Sequence, residues 1–198
     1  MRTGTALLAT MEHALATSAL IQLEHFVGLP TDVLGFATGS KTLDMQSGIE
    51  RTYAAILAYL AGADIPSGAG GLESVKTGSL EQLAIDDEIC SVLKRMRRGI
   101  EVTDTTLGVD LVGRIGIGGN YLSDIHTRKF FRSEHLILEL FDHDVRAVWE
   151  ASGRKDMAQR AREKALKILG EHQPAPLDKV VEREVRTLMQ LARRELGG

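Results

Sequence analysis

The chain has 198 residues, 43% of them apolar, and its 24 Lys and Arg against 27 Asp and Glu leave a formal charge of −3. That is enough apolar material for one buried core, and an acidic balance with 5% aromatic residues excludes the basic, base-stacking surface of a nucleic-acid binder. The single cysteine, Cys90, excludes an internal disulfide and a cysteine-based metal cluster; set in a helical pattern beside Ile89 and Leu93, it reads as a small core hydrophobe.

Thr10 is placed to cap a helix from Met11 to Val27, which carries Leu15, Ala19, Leu23 and Phe26 at helical spacing and stops at Gly28 and Pro30. The short apolar run Val33-Leu34-Gly35-Phe36-Ala37 predicts a buried strand of a parallel sheet. Thr38-Gly39-Ser40-Lys41-Thr42 breaks it with small polar residues. Asp44 then caps a helix from Met45 to Ala61, ended by Gly62. A second short strand begins at Ala63-Asp64-Ile65 and runs into the glycine-rich loop Ser67 to Gly78. This alternation argues for an α/β core over roughly residues 1–75.

The remainder reads as mostly helical. Ser79-Leu80-Glu81-Gln82 is a capping box, and the helix behind it ends in Lys94, Arg95, Arg97 and Arg98, cations that suit its C-terminal dipole. Asp104 is expected to cap a short helix through Leu107, Leu111 and Val112. Residues 116–131 are expected to form a loop that places Tyr121, His126 and Thr127. Helices are predicted over about 136–151, 156–169 and 177–196, with no strand signal among them. No apolar run reaches the ~18 residues of a membrane span. Glu12 and His13 interrupt the moderately apolar amino-terminus where a signal peptide needs an unbroken apolar core. The expectation is a cytoplasmic protein.

Loops that follow the carboxyl ends of parallel strands face the active site in barrels and doubly wound sheets. By that rule Ser40, Lys41, Asp44, Gln46 and Glu50 form the densest polar cluster at such a place. Glu73, behind the glycines of the second loop, points into the same mouth. His126 is a further candidate, because it lies in a glycine-rich stretch. Each has a plainer reading: a capped helix with a solvated face, a mobile loop, an exposed histidine. The histidines show no H-E-x-x-H pattern, and no metal site is expected from them.

Taken in order, the segments MRTGTALL, GSKTLDMQSGIE, GAGGLES, SLEQLAIDDEI, RRGIEV, GGNYLSDIHT, WEASGRKD with AREKA, and EHQPAPLD carry a specific likeness. The chain resembles the carboxyl-terminal part of the trimethylamine methyltransferase superfamily, and the likeness covers nearly its whole length. That superfamily includes corrinoid-dependent methyltransferases for trimethylamine and for quaternary amines such as glycine betaine. The resemblance implies an α/β fold, the carboxyl-terminal portion of a TIM (β/α)8 barrel followed by a helical extension. Residues 1–128 would be the partial barrel with its connecting helices, and 129–198 the extension. It also implies a truncated member that lacks the amino-terminal strands and is a poor catalyst alone.

The implied chemistry is transfer of a methyl group from a methylated amine to the cobalt of a corrinoid (cobalamin) carried by a cognate corrinoid protein, with none bound covalently here. A quaternary ammonium leaves as a neutral amine, so the step requires neither a protein nucleophile nor a proton donor. The site must hold the N–CH₃ bond in line and exclude water. Aromatic faces and carboxylates suit such a cation. Phe36, Tyr53, Glu50 and Glu73 are of those types; Ser40, Lys41, Asp44 and Gln46 lie in the matching segment, with Lys41 suited to the carboxylate of a betaine. Expected partners are the corrinoid protein, a small methylated amine and, as an open alternative, further copies of the chain; nucleic acid and membrane are not expected. Two other readings stand beside this one. Lys41, activated by burial near Asp44, would serve a Schiff-base lyase of barrel type. A half barrel with exposed sheet edges would instead be an inactive fragment that acts as a docking module.

Overall fold

The structure, a computed structural model, describes residues 6–196. The chain divides into two compact units, one up to Ala165 and one from Leu166 onward.

In the first unit, α1 (Met11–Phe26) is capped by Thr10, whose side chain accepts from the His13 N–H at 3.3 Å, as its sequence predicts. β1 (Asp32–Leu34) and β2 (Ile65–Ser67) pair in parallel, with Val33 opposite Pro66. Parallel neighbours need a crossover, and α2 (Met45–Ala61) supplies it. Asp44 caps α2 by accepting from the Ser47 N–H, and Gly62 closes it at φ 95°, a left-handed angle that glycine adopts without strain. A clip at the entry end holds the pair in register: Asp64 Oδ2 accepts from the Thr31 N–H at 2.8 Å and from its hydroxyl at 3.1 Å, while His25 Nε2 lies 3.1 Å away. The strands approach so closely that a Cβ on Gly35 would stand 2.8 Å from the Pro66 Cβ.

The predicted strand through Ala37 is shorter than expected. Gly35 and Phe36 both donate backbone N–H groups to the Ser67 carbonyl, so the ladder ends there and the chain turns inward. Phe36 is buried with Ala55 and Leu93, and Ile56, Tyr59, Ile89 and Cys90 pack around them. Burial pushes the Cys90 thiol up, consistent with a core hydrophobe. The glycine-rich loop folds into a small antiparallel pair, β3 (Gly71–Leu72) and β4 (Thr77–Gly78). The turn between them holds Glu73, Ser74 and Val75 at φ 53°, 56° and 67°, three consecutive left-handed residues none of which is glycine.

α3 (Leu80–Arg98) is capped by the Ser79 side chain, but the expected reciprocal bond of Gln82 is not made. Its amide turns inward to Asp86 and Ser47. α4 (Asp104–Leu107) is capped by Thr103 rather than Asp104, with Thr106 completing the box. α5 (Val109–Ile115) follows. Residues 116–131 are not all loop: Asp124 accepts from the His126 N–H and starts α6 (Ile125–Glu134), so the expected boundary at 128/129 falls inside a helix. The predicted helix over 136–151 shrinks to α7 (Arg146–Ala151). Upstream, Asp142 accepts from the Asp144 N–H, and the buried Leu140 gives its carbonyl to Arg160. Such local bonds offer the backbone an alternative to helix. A second apolar cluster joins Ala84, Leu140 and Ala161.

α8 (Met157–Glu171) begins in the first unit and ends in the second. α9 (Lys179–Leu196) lies wholly in the second, with apolar residues such as Val181, Val185 and Leu188 along one side. Beyond Gly99 the described residues form helices and loops without a strand. No helix among the described residues is long and apolar enough to cross a membrane.

Candidate functional site

The polar residues gather where the chain leaves β1 and β2. Glu50, on the second turn of α2, turns its carboxylate toward the loop after β1. Its Oε2 accepts from the Thr38 hydroxyl at 2.6 Å and from the Gly39 N–H at 2.7 Å; its Oε1 accepts from the Gln46 amide at 2.9 Å. Gly39 lies against both side chains, since a Cβ there would be 3.7 Å from Gln46 Nε2 and 3.9 Å from Glu50 Oε2. The loop after β2 reaches back to the same place. The Glu73 N–H donates to the Ser40 carbonyl at 2.8 Å, and the Ser74 N–H to the Thr38 carbonyl at 2.7 Å. The two strand-end loops are thus joined backbone to backbone, which brings Lys41, Gln46, Glu50 and Glu73 to one end of the strands.

Other expected residues have different tasks. Phe36 is 1% exposed, so its ring belongs to the core and cannot face a ligand. Ser40 is buried, and its hydroxyl donates to the Thr42 carbonyl while its N–H donates to Thr38 Oγ1. Asp44 spends both oxygens on its own turn, one on the Ser47 N–H and one on the Thr42 hydroxyl; the Ser47 N–H holds its carboxyl below the usual range. Lys41 is exposed and donates to the Gly39 carbonyl at 2.8 Å. It therefore lacks the burial that a Schiff-base lysine needs. Tyr53 gives its hydroxyl to the Ala9 carbonyl and lines an apolar groove of about 840 Å³ on another face of α2. His126 sits on the first turn of α6 with Nε2 2.8 Å from the Thr105 carbonyl, which ties it to α4 rather than to the strand ends.

Beneath the site lies a network that sequence reasoning missed. Arg51 and Asp86 are both fully buried and form an ion pair of 2.7 Å. Arg51 Nη1 also donates to the Phe36 carbonyl at 2.9 Å, and its Nε to Ser47 Oγ at 3.2 Å. Asp86 Oδ2 further accepts from the Gly70 N–H at 2.7 Å, and Oδ1 from the Gln82 amide at 2.9 Å. Burial pushes the Asp86 carboxyl up and the Arg51 guanidinium down; the Gly70 N–H, Arg51 and Gln82 counter the first. Donors occupy both carboxylate oxygens, which suits the ionised form and leaves a carboxyl proton no acceptor. The signal was present: Ser47 with Arg51, and Gln82 with Asp86, are polar pairs four residues apart. That spacing puts both members of a pair on one helix face.

Chemically, the strand ends offer a partly exposed carboxylate held by a hydroxyl, a backbone N–H and an amide. A carboxylate so held is suited to balance a cation without moving a proton. Among the described residues no three His, Cys, Asp or Glu side chains cluster as metal ligands would.

Against this geometry, residues 1–197 match the family model described as trimethylamine methyltransferase. The chain belongs to the trimethylamine methyltransferase family. It is 39% identical over 178 residues to trimethylamine methyltransferase MttB of Methanosarcina thermophila, covering 90% of this chain and 37% of that protein. Its identity to trimethylamine methyltransferase MttB of Methanosarcina barkeri is 36% over 200 residues, covering 100% of this chain and 40% of that one. The glycine betaine methyltransferase of Desulfitobacterium hafniense is 30% identical, with 100% and 41% covered. The chain thus spans about 40% of the length of the curated relatives it matches.

Proposed function

We propose that this chain forms the amine-binding end of a methyltransferase that takes a methyl group from trimethylamine or from a quaternary amine such as glycine betaine. The observation that carries the reading is the Glu50 carboxylate, fixed by Thr38, Gly39 and Gln46 at the joined strand-end loops of a chain in this family. The methyl acceptor is the corrinoid of a separate protein, a co-substrate to which no residue of this chain is assigned as ligand.

In this reading Glu50 balances the charge of the bound ammonium, and its three donors fix the carboxylate before the amine arrives. Preorganisation of this kind places the N–CH₃ bond without further ordering cost. Glu73 approaches from the second loop, and Lys41 meets the carboxylate of a betaine. The parallel β1–α2–β2 unit has the connection that a repeat of a TIM barrel would have, and such barrels bind substrate at the carboxyl ends of their strands. In this reading the rest of such a barrel would correspond to the portion of the relatives that this chain does not span. Exposed apolar residues along α4–α6, such as Val109, Val112 and Leu122, are surfaces that portion would cover. With few of the strand ends present, turnover by the chain alone is expected to be slow.

The test is calorimetric binding of tetramethylammonium, trimethylamine and glycine betaine to the chain and to Glu50→Gln. Loss of the charge is expected to weaken binding of the cation by at least ~10-fold, since two opposite unit charges about 4 Å apart attract by about 1–4 kcal/mol between water and a protein surface. Equal affinity of the two proteins, or no binding by the unaltered chain, would refute the assignment. Adding a reduced corrinoid protein, with the demethylated amine followed by mass spectrometry, reads the transfer itself.

A further inference from the structure

We propose that Arg51 and Asp86 are positioning residues that set the spacing of the two strand-end loops, and through it the seat of the Glu50 carboxylate. For its consequence on amine binding the proposal rests on the function proposed above. The pair touches both loops at the points where they leave the sheet. Arg51 Nη1 holds the carbonyl of Phe36, two residues after β1 ends and two before Thr38. Asp86 Oδ2 holds the N–H of Gly70, three residues after β2 ends. One ion pair of 2.7 Å therefore bridges the bases of both loops. The tips are bridged separately, by the bonds from Glu73 and Ser74 to Ser40 and Thr38.

The bases are closely packed. A Cβ on Gly68 would stand 2.5 Å from Leu34 Cδ1, and one on Gly70 would stand 3.2 Å from Leu83 Cβ, so the second loop is pressed against β1 and α3. Gln82 anchors Asp86 from the far side and is itself held by the Ser47 hydroxyl on α2. Arg51 follows Glu50 directly in α2. A shift of the pair therefore carries the Glu50 backbone with it, while Thr38 and Gly39 ride on the Phe36 carbonyl. Arg51 and Asp86 reach no ligand; they act through Glu50.

The experiment compares the full chain with Arg51→Lys and Asp86→Asn, and reads two signals. The first is amide hydrogen exchange at Gly70 and at Gly39. A local structural role frees Gly70 alone. A positioning role also loosens the Gly39 N–H bonded to Glu50, with exchange at least ~10-fold faster, the equilibrium factor of one hydrogen bond. The second is affinity for tetramethylammonium, expected to fall by at least ~3-fold as the carboxylate leaves its seat, a change of about 1 Å in charge separation. Gln82→Met removes one neutral donor from Asp86 and is the milder variant should the others fail to fold; it is expected to move Gly39 in the same direction. Gly39 protection unchanged in the folded variants overturns the proposal. If the unaltered chain binds no amine, the function proposed above falls and the Gly39 exchange alone decides the positioning role.

Discussion

Removing the buried carboxylate, as in Asp86→Ala, is the severest single change this fold offers at the site. Three donors lose their acceptor at once: the Arg51 guanidinium, the Gly70 N–H and the Gln82 amide. Arg51 is then a cation with 0% exposure and no ion-pair partner, with the charge of Glu50 still acting on it. Breaking a buried pair in this way costs about 3–5 kcal/mol. Domains are stable by only ~5–15 kcal/mol, so the variant sits near the edge of folding. The double change Arg51→Met with Asp86→Leu removes the charge as well as the partner. It is expected to recover at least ~1 kcal/mol over Asp86→Ala, although Gly70 and Phe36 keep unpaired backbone groups. Urea unfolding followed by circular dichroism measures both. A loss under ~1 kcal/mol for Asp86→Ala, or a double variant less stable than the single one, would refute the view that this pair holds the loops together.

Three further outcomes are expected. Gly39→Ala meets only ordinary contacts, 3.7 Å and 3.9 Å from the Gln46 and Glu50 side chains, so the fold should survive while its methyl group stands beside the carboxylate; holding tetramethylammonium about 2 Å further from that charge should lower its affinity by ~10-fold with unchanged circular dichroism, and undiminished binding would count against Glu50 as its seat. Val75→Gly relieves a β-branched residue at φ 67° and should raise stability by ~1 kcal/mol in the same urea assay, whereas a loss would show that the side chain's packing outweighs its backbone strain. Asp64 is held below the usual carboxylate range first by the Thr31 N–H and then by His25 and the Thr31 hydroxyl. The folded chain thus binds this proton less readily than the unfolded chain. Its contribution is present above the ordinary carboxylate value of ~4 and is lost as pH falls through the lower folded value. Asp64→Asn should therefore flatten the acid side of a stability–pH curve, and an unchanged slope would count against the clip.

The elements that the sequence disclosed are those with local causes. Thr10, Asp44, Ser79 and Gly62 act on the nearest turn of backbone, and their helix ends fall where the pattern put them. Where a side chain had a distant partner, reading failed. Gln82 has the sequence of a capping-box residue, yet Ser47, 35 residues away, outcompetes its own helix terminus. Residues 136–145 keep a helical pattern of apolar residues, but Asp142 and Arg160 draw the backbone into a turn. Phe36 is an aromatic of the type that suits a cation, near the end of an apolar run just before the polar turn. Its burial depends on Ala55 and Leu93, which only the crossover brings near. Thr38 escaped notice because a threonine in a turn is common, and its worth comes from Glu50, 12 residues on.

α2 carries three unlike duties on three consecutive residues. Ile49 borders the apolar groove, Glu50 reaches the strand ends and Arg51 enters the core. Successive residues of a helix are turned by about 100°, so the whole assignment depends on counting. One residue lost between Asp44 and Glu50 would swing the glutamate toward the groove and the arginine toward the strand ends. No single substitution could undo that. The helix therefore behaves as a key with its teeth cut at fixed intervals from the Asp44 cap. Insertions and deletions belong in the loops around α4–α6, because the helix itself has no room to slide.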